Sequence, residues 1–150
     1  MAKLAFSNRQ RTRPLDLRLL REMTLATLAS LPHVDDWELT FYFVSAKRMA
    51  VINETHLGHE GATDVITFGY NDPDTPWQLA GEVFICIEVA VTQAEEFRTT
   101  WQAEVVRYIV HSLLHLCGYD DLKSADRRKM KRVENRLVAD LSRQFNLSAL

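Results

Sequence analysis

Two kinds of pattern alternate along the chain. Short runs of β-branched and aromatic residues read as strands, and longer runs with apolar residues three and four apart read as helices. "KLAFSN" (3–8) alternates weakly and fits a first strand. "PLDLRLLREMTLATLASL" opens with Pro14 at a helix start and places Leu17, Leu20, Thr24, Leu28 and Leu31 on one helical stripe. Trp37–Ser45 reads as a strand, and "AKRMAVINETHL" as a helix stopped by Gly58. Thr63–Tyr70 and Gly81–Ala90 read as strands separated by the proline-containing loop "NDPDTPWQ". Helices are expected at about 89–98 and 101–117, and from Ser124 to about Phe145.

The order β-α-β-α-β-β-α-α-α predicts an α+β fold with a mixed sheet packed with helices. The third and fourth strands, joined by a loop, are expected to be antiparallel neighbours. Helical crossovers among the first three strands allow parallel pairs. There is no internal repeat, low-complexity tract or linker. A length of 150 residues suits one domain, 1–150, with a single core.

Composition changes the picture little; charge changes it more. Apolar content of 47% and charged content of 25% are those of an ordinary globular chain. No apolar run approaches the roughly 20 residues of a membrane span, and "MAKLAFSNRQRTRP" lacks the apolar core of a secretory signal. We therefore expect a cytoplasmic protein, in which Cys86 and Cys117 stay reduced and form no disulfide. The net charge of −2 hides basic ends on an acidic body. Residues 1–21 carry six basic side chains against one acidic, residues 121–150 eight against four, and residues 22–120 four against fifteen. Such ends either attract phosphate or are simply solvated helix faces.

The chemistry gathers in "HSLLHLCGYDD". His111 and His115 are four apart, so a helix places both on one face. Gly118 fits a left-handed helix end, after which the chain turns and Asp121 can swing back as a third ligand. Two histidines and an aspartate suit zinc or another divalent transition metal, and three protein ligands leave a position open for a water acidified toward neutral pH. Asp120 competes with Asp121 for the ligand role; otherwise it caps the last helix or orients a histidine. A zinc protease places a glutamate directly after the first histidine, where this chain has Ser112. Cys117 points to another helix face and reads as a small buried hydrophobe. His33 reads as a turn residue, His56 and His59 as exposed loop histidines, and Glu104 as a surface glutamate that could alternatively support the site.

These residues resemble the YbeY family of bacterial metal-dependent endoribonucleases of ribosomal RNA maturation. "HSLLHLCGYDD" is similar to the family signature His-Gly-x-Leu-His-Leu-x-Gly-Tyr-Asp-His. "ATDVITF" resembles its Pro-Thr-Asp-Val-Leu-Ser-Phe strand, "GEVFIC" its Gly-Asp-Ile-x-Ile strand, and "INETH" its Leu-Asn-x-x-Tyr segment with Asn53 in register. Glu104, Met130 and Glu134 also match. The resemblance implies a mixed four-stranded sheet with about five helices and a metal site on a helix and the turn after it. It implies His111, His115 and Asp121 as ligands of one divalent ion, with zinc the first expectation. It further implies single-strand endoribonuclease activity in small-subunit rRNA processing or quality control, with rRNA and the small ribosomal subunit as partners. Arg9, Arg11, Arg13, Arg128, Lys131 and Arg132 are the expected phosphate contacts.

Three departures stand out. The third ligand is Asp121 where the family usually has histidine, which should weaken the metal as a Lewis acid. Ser112 replaces the signature's glycine. Leu57 occupies the position of an arginine thought to bind phosphate, leaving His56 or His59 as the nearest replacements in sequence. The rival expectations are a non-catalytic ribosome-assembly factor with a structural or vestigial metal, which Leu57 motivates, and a metal-dependent hydrolase of another substrate such as a peptide, which Ser112 disfavours.

Overall fold

The computed structural model describes residues 2–150. Strand β1 (Lys3–Asn8) leads to helix α1 (Leu17–Ser30), then β2 (Asp36–Val44), α2 (Ala46–Leu57), β3 (Val65–Gly69) and β4 (Gln78–Cys86). Helices α3 (Ile87–Phe97), α4 (Trp101–Leu116) and α5 (Ser124–Gln144) follow, with a short 3-10 turn at Leu147–Ala149 that the sequence pattern does not announce. The sheet order is β1-β2-β4-β3, with β1–β2 and β2–β4 parallel and β3–β4 antiparallel. This is the expected mixed four-stranded sheet with five helices.

Local chemistry sets the element ends. The first helix starts at Leu17 rather than Pro14, because Asp16 caps it: its carboxylate accepts the Leu19 N–H at 3.0 Å. Ser45 and Thr100 cap α2 and α4 in the same way. Strand β4 runs 78–86, not 81–90, because the chain turns helical at Ile87. The third strand does not pair with the second. β4 lies between them, its alternate positions and last residues buried, while the five-residue β3 takes an edge.

Helix α4 is the spine of the core. Val105, Ile109, Leu113 and Leu114 are buried with Leu39, Phe41, Val83 and Ile85 of the sheet, together with Leu20 and Leu28 of α1 and Leu137 and Leu141 of α5. Met49 and Ile52 of α2 join a separate cluster with Val44, Ile66 and Cys86, the sheet positions of opposite parity. The end of α4 sits very close to the sheet. A Cβ on Gly81 would lie 2.7 Å from the Phe68 carbonyl and 3.1 Å from the Leu116 side chain, so only glycine fits that close approach. Asn71 ties the two together: its amide donates to Leu116 O at 2.8 Å while its oxygen accepts the Ala80 N–H at 2.7 Å. The position of α4, and hence of His111, is fixed by these contacts.

Candidate active site

His111 faces a cavity of about 690 Å³ bounded by α3, α4, α5, the start of β3 and the turn after α4. The turn forms as its glycine predicts. Gly118 takes φ 99°, the Gly118 N–H donates to His115 O at 3.0 Å, and the Tyr119 N–H donates to Leu114 O at 3.1 Å. The chain then doubles back, and Asp121 Oδ2 comes to 3.7 Å from His111 Nε2. That is too long for a hydrogen bond. It is close to the roughly 3.3 Å that separates two ligands of one tetrahedral zinc.

The other ring nitrogen is held from α5. His111 Nδ1 lies 2.8 Å from Glu134 Oε1. An ionised carboxylate there accepts the Nδ1 proton and leaves Nε2 free to face Asp121. Glu134 is buried, and its second oxygen accepts from Arg107 Nη1 at 2.7 Å and Lys131 Nζ at 3.1 Å. Burial pushes its pKa up, but the His111 and Arg107 hydrogen bonds and the Lys131 charge outweigh that and pull it down to about 2. The same hydrogen bond raises the His111 pKa against its burial, with the Glu134 and Asp121 charges adding to the rise. Arg107 also donates to Asn135 Oδ1 at 2.7 Å, which orients its guanidinium.

The donor pair fits a divalent ion, with Glu134 in the orienting place that metal-bound histidines commonly use. The third expected donor is not gathered with it. His115 is exposed on the last turn of α4 and lines none of the cavity that holds His111 and Asp121. Among the described residues, no three His, Cys, Asp or Glu side chains form a metal-binding group. Asp120 is exposed, and its Oδ1 accepts the Leu122 N–H at 2.9 Å, a local turn bond.

Of the expected phosphate contacts, Lys131 lines this cavity, and Arg128 joins it around an adjoining hollow shared with His111 and Asp121. Arg132 is exposed on α5 outside both. Arg9, Arg11 and Arg13 are exposed after β1, with the Arg9 guanidinium 5.0 Å from the centre of the Tyr42 ring. Leu57 ends α2 and is 46% exposed, away from the cavity. His56 and His59 do not replace the missing arginine there. His56 lies on α2, not in a loop, and meets the Phe68 ring edge-on at 5.6 Å, and His59 is exposed. Arg107 and Lys131 are the cations that line this cavity with His111.

The surface expectation for Glu104 is corrected: it is 5% exposed and accepts the Thr99 hydroxyl at 2.5 Å. Cys117 is partly buried against the core, where burial raises its pKa to about 11. His33 sits in a turn with φ 65°. Sequence reasoning matched Glu134 without giving it a role and passed over Arg107. A signal was available for both. Arg107 lies four residues before His111 on the same helical face, and Glu134 three after Lys131 on α5.

A family model described as Endoribonuclease YbeY matches residues 5–142. An Alkaliphilus metalliredigens protein of that name is 32% identical over 146 residues, covering 92% of this chain and 94% of its own. An Anaeromyxobacter protein of the same name is 38% identical over 121 residues, covering 81% of this chain and 62% of its own. The solution structure of TM1509 from Thermotoga maritima shares the fold, with TM-score 0.66 and 22% identity over 93% of this chain and 89% of that one.

Proposed function

Since this chain belongs to the YbeY family, we propose that it is an endoribonuclease of small-subunit rRNA processing and quality control. In this reading it acts in the cytoplasm as one domain, on single-stranded rRNA of the small ribosomal subunit. The observation that carries the reading is the His111 ring held between Glu134 and Asp121 in a cavity edged by Arg107 and Lys131. His111 and Asp121 would hold a divalent ion, zinc by preference, and His115, one helical turn on but outside the cavity, would join them as third donor only by turning its ring inward. Such an ion supplies Lewis acidity toward a phosphoryl oxygen and a nucleophile at neutral pH.

The remaining work belongs to the chain itself. Glu134 fixes which nitrogen of His111 carries the proton and holds the ring in place. Arg107 and Lys131 put two positive charges beside that ring and attract the phosphodiester. Arg128 on α5 extends the positive rim, and Arg9, Arg11, Arg13 and Arg132 add the outer basic surface for a longer strand. No helix among the described residues is long and apolar enough to cross a membrane.

The test is cleavage of a precursor small-subunit rRNA fragment by zinc-loaded protein beside Asp121→Ala. Cleavage by the first and not the second is the expected result; an uncut fragment under zinc, manganese, nickel and cobalt would refute catalysis. One observation favours a second reading, a non-catalytic assembly factor: an exposed leucine stands at position 57. Restoration of small-subunit rRNA end processing by a His111→Ala chain would select that reading. A peptidase is disfavoured further, because Ser112, which stands where a zinc protease has its glutamate base, is buried and donates to Ile109 O at 2.7 Å.

A further inference from the structure

The cavity continues past His111. Tyr108 lies three residues earlier on α4, less than one turn away, and its hydroxyl donates to Gln93 Oε1 on α3. Phe97 stands one turn beyond Gln93 on the same face of α3, and both line the cavity. Phe97 is 59% exposed. An exposed ring that lines a cavity offers a flat face on which a planar ligand such as a nucleobase can stack.

The ring is presented from a pinned turn. Arg98 takes φ 56°, an unusual left-handed conformation for a residue with a side chain. The Thr99 N–H donates to Ala94 O at 2.9 Å, and its hydroxyl donates to the buried Glu104 at 2.5 Å. Glu104 thus ties the α3–α4 turn to α4. Gln93 is equally constrained. Burial raises the Tyr108 pKa far above the usual range, so the hydroxyl keeps the proton that it donates to Gln93 Oε1. With Oε1 engaged, the Gln93 Nε2 has no protein partner among the described residues.

That arrangement discriminates between bases. A glutamine reads adenine with both amide atoms, its nitrogen donating to N7 and its oxygen accepting from N6. Here Tyr108 takes one lone pair of the oxygen and fixes the amide's direction, so a base carbonyl, which needs only the nitrogen, is met more readily than adenine's two-point pattern. We propose that this end of the cavity is a nucleobase subsite, in which Phe97 stacks on a base next to the phosphate at His111 and Gln93 Nε2 donates to that base's carbonyl, favouring uracil over adenine. The inference rests on the endoribonuclease reading and adds its base preference.

The test is fluorescence anisotropy of the full chain with short oligo-U and oligo-A RNAs, with a chelator present so that nothing is cut. Wild type should bind oligo-U more tightly than oligo-A. Phe97→Ala should weaken both by about tenfold, the loss of one stacked base, and Phe97→Tyr should restore binding. Gln93→Leu should erase the preference for oligo-U. Phe97 is exposed, so its variants should melt with wild type, which circular dichroism checks. Phe97→Ala binding like wild type, or a U-over-A preference that survives Gln93→Leu, overturns the subsite. If this happens while Lys131→Ala still weakens RNA binding, the endoribonuclease reading stands without it. If wild type binds neither RNA, both fall.

Discussion

Glu134 Oε1 and His111 Nδ1 are 2.8 Å apart, and Glu134 is also the acceptor for Arg107 and Lys131. One buried carboxylate therefore orients the histidine and anchors the two cations beside it, leaving a net positive charge. Glu134→Ala should lower zinc affinity by roughly 10–100-fold, the usual cost of losing a histidine's orienting partner. It should also cost about 1.5–3 kcal/mol of stability, the range for charged hydrogen bonds. Zinc competition with a chromophoric chelator and urea unfolding measure the two effects separately.

The same pair predicts a pH window for the metal-free protein. Glu134 is depressed from its ordinary 4.5 to about 2, so its contribution is present above 4.5 and is lost as pH falls toward 2. His111 is raised from its ordinary 6.5, so its contribution is present below 6.5 and is lost as pH rises through the raised value. Urea midpoints with a chelator present should be highest between these limits. Glu134→Gln should flatten both flanks of that profile.

Asp121 and Asp120 are adjacent in sequence but differ in geometry. Asp121 faces His111 at 3.7 Å, while Asp120 bonds the backbone of its own turn. Elemental analysis after zinc loading should find metal in Asp120→Ala and little in Asp121→Ala. The reverse pattern would overturn the ligand assignment.

Gly81 marks where α4 presses on the sheet. A Cβ there meets the Phe68 carbonyl at 2.7 Å, and backbone cannot swing aside as a side-chain tip can. Gly81→Ala should destabilise the chain by about 1–3 kcal/mol, as overpacking does. A thermal midpoint equal to wild type would contradict the close approach.

Arg128 and Lys131 border the hollow that holds His111 and Asp121. RNA affinity should fall as salt rises, and each alanine substitution should reduce the slope of log affinity against log salt by about one. Filter binding across a salt series measures it. An unchanged slope in Lys131→Ala would remove that residue from the phosphate path.

The elements and much of the histidine region are legible in the amino-acid order, because both rest on local rules. Helical periodicity put His111 and His115 on one stripe, and Gly118 supplied the left-handed turn that brings Asp121 back. Those relationships span ten residues or fewer. The rest arises from long-range packing. It placed β4 rather than β3 beside β2, buried Glu104 under the α3–α4 turn, and left His115 exposed outside the His111 cavity. It also joined His111 and Arg107 to Glu134, 23 and 27 residues away in sequence. Such contacts depend on how α4 and α5 pack over one core, and periodicity within a single helix gives the direction of a side chain but not the partner it will meet.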